Sequence, residues 1–154
     1  MKRWGFLFFP AVSLGVGTLA GFLTRNSLNT VYPMLEKSPL TPPGWVFPLV
    51  WTVLYLLMGL GMALVVRRGG PEVRQALGLW GVQLGLNFCW SLLFFNGGLY
   101  FSALLCLVVL WVMILAMAGA FGAISRTAGL LQIPYLLWVA FAGYLNAAVW
   151  VLNL

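Results

Sequence analysis

The chain has 154 residues, 63% of them hydrophobic and 6% charged, with eight Lys/Arg against two Asp/Glu, no histidine and a net charge of +6. About a quarter of an ordinary soluble domain is charged, so these few charges cannot solvate the surface, and lipid is expected to cover much of it. The missing histidine excludes haem ligation by His, the usual zinc sites and His-based triads, and basic residues scattered singly or in pairs suit membrane boundaries better than nucleic acid.

Five apolar stretches follow one another, each long enough as a helix to cross a hydrocarbon core of about 30 Å. Helix is the state they must adopt there, because lipid offers the backbone no hydrogen-bond partner. The expected fold is therefore all-α, a single domain over 1–154 forming an integral membrane bundle of five transmembrane helices.

The first helix is expected over about 5–24. Met1-Lys2-Arg3 before an apolar run is also how a signal peptide begins, but the run is long for that and no clear A-x-A site follows, so a retained helix is expected. Gly17-xxx-Gly21 within it is a pattern that lets another helix approach closely. Residues 25–44 form the longest connection. With Pro33, Pro39, Pro42 and Pro43 among apolar residues, it reads as an ordered cap lying on the bundle.

The second helix, about 45–66, places Trp51, Tyr55 and Met58 on one stripe. Arg67-Arg68-Gly69-Gly70-Pro71-Glu72 ends it with charge, glycines and a proline suited to opening the next helix. The third, about 75–95, carries Gln83, Asn87, Trp90, Ser91 and Phe94 on one face and Gly78, Gly81 and Gly85 on the opposite one. The glycine face is the expected homodimer interface. Asn96-Gly97-Gly98 makes a tight turn into the fourth helix, about 99–121, and Ser125-Arg126-Thr127 separates that from the fifth, about 128–152. On the fifth, Tyr135, Trp138, Ala142, Asn146 and Val149 share a stripe. Cys89 and Cys106 each sit in an apolar run without a CxxC partner and read as small hydrophobes.

One side of this topology collects Lys2, Arg3, Arg67, Arg68, Arg74 and Arg126, the other only Arg25 and Lys37. The positive-inside rule then puts the N-terminus in the cytoplasm and the proline-rich loop on the far side. Both carboxylates, Glu36 and Glu72, lie in loops, so the membrane segments hold no acid or base other than thiols and phenols. Proton-coupled transport and acid–base hydrolysis are poor readings for that reason. No metal and no required cofactor are expected.

The polar stripes have two readings. Amides pair between helices and aromatics fill cores or mark interfaces, which suits Trp4, Trp45, Trp80 and Trp150 near the predicted helix ends. For Trp51, Asn87 and Trp138, packing and a ligand cavity stand level. An aromatic pocket with a few amides suits a flat hydrophobic ligand better than an ion.

Three segments carry a resemblance. They are Thr41-Pro42-Pro43-Gly44-Trp45-Val46-Phe47-Pro48 continuing through Val50-Trp51-Thr52 to Leu54-Tyr55; Gln83-Leu84, Asn87, Trp90-Ser91 and Phe94-Phe95; and Pro134-Tyr135-Leu136-Leu137-Trp138 with Phe141-Ala142, Leu145-Asn146 and Trp150-Val151-Leu152-Asn153. In this order, over nearly the whole chain, the sequence resembles the tryptophan-rich sensory protein / translocator protein family (TspO/MBR, the peripheral benzodiazepine receptor family). The resemblance implies a five-helix bundle, commonly dimeric, whose cavity opens beneath the first long loop. It implies ligands of the porphyrin and haem-related tetrapyrrole class, and of the benzodiazepine or isoquinoline type, with cholesterol in animal members.

By matching motif positions, Trp51, Asn87, Trp90, Ala142 and Trp138 line that pocket and Tyr32 and Pro42 close it. Tyr55, Ser91, Phe94 and Asn146 join them from the stripes. Some bacterial members are reported to degrade protoporphyrin in light, which makes Trp51 and Trp138 the candidate catalytic residues. The family's loop often reads Trp-Tyr, here Val31-Tyr32, and Lys-Pro-x-Trp-x-Pro-Pro, here Lys37-Ser38-Pro39-Leu40-Thr41-Pro42-Pro43. No Lys or Arg follows Tyr144, so the weak cholesterol-recognition pattern is absent.

The expected function is a membrane receptor or carrier for hydrophobic tetrapyrroles in a bacterial cell membrane, with a stress- or oxygen-sensing role. Light-dependent protoporphyrin breakdown and a membrane scaffold are the alternatives. Asn87, Asn146 and loop closure are expected to discriminate among ligands.

Overall fold

The structure, a computed structural model, describes residues 3–154; Lys2, which contributes to the orientation argument, lies outside them. It contains helices α1 (Gly5–Thr30), α2 (Val46–Arg68), α3 (Val73–Ser91), α4 (Tyr100–Ile124), α5 (Arg126–Leu130) and α6 (Ile133–Leu152), and no strand among the described residues. Counting α3 with the turn after it, and α5 with α6, five segments are long and apolar enough to cross a membrane. The protein is an integral, multi-pass membrane bundle.

The first helix runs six residues past its expected end at 24. Between Arg25 and Thr30 the chain is polar but has neither glycine nor proline to break it. Thr24 and Thr30 turn their hydroxyls back onto the carbonyls of Ala20 (2.8 Å) and Asn26 (2.7 Å), where they do not compete for the turn ahead. The helix yields where Pro33 opens a 3-10 turn at Tyr32–Met34. The ordered cap is therefore shorter than expected, residues 31–45.

α1 packs chiefly on α2, α3 on α4, and α4 on α6. Where α1 crosses α2, Gly59 faces the backbone of Pro10, and a Cβ at Gly59 would collide with it. The end bearing Arg67, Arg68, Arg74 and Arg126 is solid. Met58, Met62, Val65, Leu110, Ile114, Met117 and Phe121 are fully buried there. The expected fifth helix is broken once. Ser125 caps α5 by accepting a bond from the Ala128 N–H (3.3 Å), Gly129 lies directly on the Gly122 backbone, and Pro134 starts α6. At the opposite, loop-bearing end, α3 widens into a π-helical turn over Leu92–Asn96. Gly98 takes φ +61° in the tight turn that follows. The Asn96 amide fastens this turn to α1, donating to the Leu23 carbonyl (2.9 Å) and accepting from the Ser27 hydroxyl (2.9 Å).

Candidate functional site

The solid half supports a hollow one. Between α1, α2, α3 and α6, beneath the 31–45 cap, lies a cavity of about 740 Å³. The α2 wall is Phe47, Trp51 and Tyr55, and the α3 wall is Asn87, Trp90, Ser91 and Phe94. Trp138, Ala142 and Asn146 form the α6 wall, and Tyr32, Lys37, Thr41 and Gly44 the roof. The helical stripes read from the sequence thus converge on one space.

Pro42 is the exception. It is half-buried in the cap, but its neighbours Thr41 and Gly44 line the cavity and it does not. Val31 and Leu40, the positions that depart from the family's aromatic pattern, are both exposed and also stand off the cavity lining.

The indoles form one cluster. The ring of Trp51 lies 6.1 Å from Trp90, tilted by 37°, and 6.4 Å edge-on to Trp138. It also meets Tyr55 at 5.8 Å and Tyr135 at 6.4 Å. Phe47 steadies Trp138 from above (5.8 Å), and Trp90 leans on Phe94 (5.7 Å). Such offset and edge-on pairs hold rings at fixed angles.

The floor is a directed hydrogen-bond chain. The Tyr55 hydroxyl donates to Asn87 Oδ1 (3.1 Å), and Asn87 Nδ2 donates to the Tyr135 hydroxyl (2.8 Å). That hydroxyl donates to Gln83 Oε1 (2.7 Å), and Gln83 Nε2 donates to the Trp80 carbonyl (3.0 Å). Each member donates onward, so the bonds polarise one another. Higher up, Trp90 Nε1 donates to Asn146 Oδ1 (2.9 Å), whose Nδ2 donates to the Tyr100 carbonyl (2.9 Å).

The amides both pair between helices and border the cavity. Asn87 and Asn146 line the cavity, yet both ends of each amide are engaged by protein groups. They shape the walls, and one N–H and one oxygen lone pair of each are used in doing so. Tyr135 and Met58, expected on the same stripes, sit below the cavity in the packed floor, fully buried.

Trp45 is 69% exposed and Trp4 is also exposed, as interface markers would be. Trp80 takes the other role expected of such aromatics, filling the core. It is buried edge-on against Phe9 at 5.3 Å, two turns inside α3.

Sequence reasoning missed the α1 wall, formed by Leu14, Gly17 and Gly21 among others, and Lys37 in the roof. A signal for the first was present in Gly17-xxx-Gly21. A Cβ at Gly17 would strike the Tyr55 ring, whereas one at Gly21 would meet nothing within 4 Å and only narrow the cavity. The pattern marks one helix crossing and one open wall. Burial raises the pKa of the Tyr32 phenol in the roof, so it stays protonated.

Gly78, Gly81 and Gly85 are exposed on the far face of α3, and a Cβ on any of them would meet nothing within 4 Å. That face is open in the single chain.

A sequence profile described as the TspO/MBR family matches residues 8–151. The chain is similar to "Tryptophan-rich protein TspO" of Chlorobaculum tepidum, 39% identical over 142 residues covering 91% of this chain and 90% of that protein. It is 38% identical over 149 residues to the bovine "Translocator protein", covering 95% of this chain and 86% of the relative. To "Protein CrtK" of Rhodobacter capsulatus it is 37% identical over 124 residues, covering 79% and 78%.

Proposed function

The chain belongs to the TspO/MBR family, which includes receptor and sensory membrane proteins, and from that premise we propose that its cavity is a receptor or carrier site for flat hydrophobic ligands, tetrapyrroles of the protoporphyrin and haem type foremost. Benzodiazepine- and isoquinoline-type molecules share the needed flatness and belong to the same proposal.

The observation that carries it is the indole cluster of Trp51, Trp90 and Trp138 around a space of about 740 Å³. Burying about 300 Å² of apolar ligand surface contributes roughly 7.5 kcal/mol at 25 cal/mol per Å². That is near the roughly 8 kcal/mol of micromolar binding, before ordering costs. The test is a fluorescence-quenching titration of the purified protein with protoporphyrin IX, repeated for Trp51→Phe, Asn87→Ala and Trp138→Phe. Saturable quenching that weakens in the variants supports the reading; failure of every tetrapyrrole to quench points to a membrane scaffold instead.

A second reading is light-driven protoporphyrin breakdown, with Trp51 and Trp138 relaying electrons. It draws support from the ring contacts that link Trp51 to Tyr55, Trp90, Tyr135 and Trp138. Illumination separates the two readings. Loss of pigment absorbance with the wild type, but not with ligand-competent Trp51→Phe or Trp138→Phe, supports enzymology, and equal bleaching without protein removes it.

The proposed setting is a bacterial cell membrane with the N-terminus cytoplasmic. The orientation is supported by Arg67, Arg68, Arg74 and Arg126 gathering at one end of the bundle. The open glycine face of α3 is proposed as a homodimer contact.

A further inference from the structure

We propose that Lys37 is an anchoring cation for this cavity, so that the site prefers a planar apolar ligand carrying a carboxylate edge over its neutral counterpart. This rests on the reading of the cavity as a site for flat hydrophobic molecules and specifies which of them it takes.

Among the described residues that line the cavity, Lys37 alone is an Asp, Glu, Lys or Arg. Its ammonium donates to the carbonyls of Tyr32 (2.9 Å) and Leu35 (3.0 Å) and lies 4.7 Å from the Tyr32 ring centroid. These contacts hold the charge in place without neutralising it, and they use two of its three N–H donors. One donor and the full charge remain for a ligand.

The residues on both sides of Lys37 are fastened to α6 and to Asn153 at its end. The Asn153 amide brackets Glu36, accepting from its N–H (3.1 Å) and donating to its carbonyl (2.8 Å). Next door, buried Ser38 shares a 2.6 Å hydroxyl–hydroxyl bond with Tyr144 and takes the Leu40 N–H (3.1 Å). A surface lysine would lose much rotamer freedom on gripping a ligand. This one is ordered beforehand, so little of that loss remains at binding.

The wall chemistry points the same way. An apolar ligand that fills the cavity expels water from beneath the roof. An ammonium facing it then loses solvation, which is costly unless the ligand supplies an anion. The other polar groups of the wall, Asn87 and Asn146, are held in orientation by Tyr55, Tyr135, Trp90 and the Tyr100 carbonyl, and neither carries a charge. The roof thus offers a positively charged donor, and a matching ligand brings a negatively charged acceptor.

The test compares protoporphyrin IX with its dimethyl ester, which keeps the ring and removes the carboxylates. Tryptophan quenching is followed for the wild type, Lys37→Arg, Lys37→Gln and Asn153→Ala in the same detergent. The wild type is expected to bind the acid about tenfold more tightly than the ester, the scale of one charge-assisted hydrogen bond. Lys37→Arg should keep that ratio. Lys37→Gln removes the charge and keeps a polar N–H donor group, and should bring the ratio to within about twofold of unity. Asn153→Ala frees the loop without removing the charge, and should weaken both ligands in similar proportion.

Equal wild-type affinity for acid and ester overturns this inference while leaving the tetrapyrrole reading intact. So does a Lys37→Gln variant that weakens both compounds equally, which is the behaviour of a loop fastener alone. Quenching by neither compound overturns the tetrapyrrole reading and this inference with it.

Discussion

Removing a single oxygen from the cavity floor should cost far more than the missing atom suggests. In Tyr135→Phe the ring stays and the hydroxyl goes, taking with it the bond accepted from Asn87 and the bond donated to Gln83. Tyr135 and Gln83 are both fully buried, so no solvent replaces the lost partner of Gln83 Oε1. Asn87 lines the cavity and can present its freed N–H there, so most of the loss falls on Gln83.

An orphaned buried polar group costs about 1–3 kcal/mol in soluble cores. Side-chain bonds between membrane helices average about 0.6 and reach about 1.7 kcal/mol. Two bonds with one unrescued acceptor lead to an expected loss of about 2 kcal/mol. Reversible unfolding in mixed micelles with rising SDS, followed by helical circular dichroism, measures it. Adding Gln83→Leu removes the orphan, so the double variant should be about 1 kcal/mol more stable than the two single losses summed. A Tyr135→Phe loss below about 0.5 kcal/mol, or strict additivity, would refute the view that this chain of bonds holds the floor together.

The remaining expectations concern the walls, the roof and the open face. In the Gly17-xxx-Gly21 pair, Gly17→Ala drives a methyl into the Tyr55 ring that Asn87 holds, and should cost about 1–3 kcal/mol in the same SDS titration. Gly21→Ala meets nothing and should stay within about 0.5 kcal/mol of wild type; equal losses would show that the pattern is not split as described. Asn153→Ala removes both bonds that bracket Glu36, so residues 31–45 should be cut faster by added protease while the helices stay intact. Unchanged cleavage would place the cap's anchorage elsewhere. Gly81→Leu and Gly85→Leu should abolish a crosslinked dimer in membranes, and a persisting dimer would rule out that face of α3.

Much of the fold was legible because lipid leaves a chain few choices. Five apolar runs with charged or glycine-rich breaks have one backbone solution, and Gly98 with its positive φ sits where the tight turn was expected. The misses have local causes. The end of α1 was set too early because polarity between Arg25 and Thr30 resembles a loop, whereas the chain there lacks a breaker and its threonines bond backwards. The π-helical turn after Ser91 leaves no composition signal, since Leu92-Leu93-Phe94-Phe95 reads as ordinary helix.

In the site, three- and four-residue spacing found the α2, α3 and α6 walls. Spacing cannot say which stripe residues face a space and which face a neighbour, so Tyr135 and Met58 belong to the floor. Pro42 came from a motif match and lies beside the lining. Lys37 was visible only as a loop cation, because its place in the roof depends on contacts from residues 36 and 38 to Asn153 and Tyr144, more than a hundred positions away.

The most direct test of the cavity as the ligand site is to fill it. Ala142 lies on its α6 wall and is 7% exposed, and Ala142→Phe replaces a methyl there by a benzyl group, leaving every indole and every member of the floor chain in the sequence. With helical content retained, the dissociation constant for protoporphyrin IX, measured by tryptophan quenching, should rise at least about tenfold, since a group that takes the ligand's space removes more than one contact. A dissociation constant within about twofold of wild type would mean that the ligand binds somewhere else.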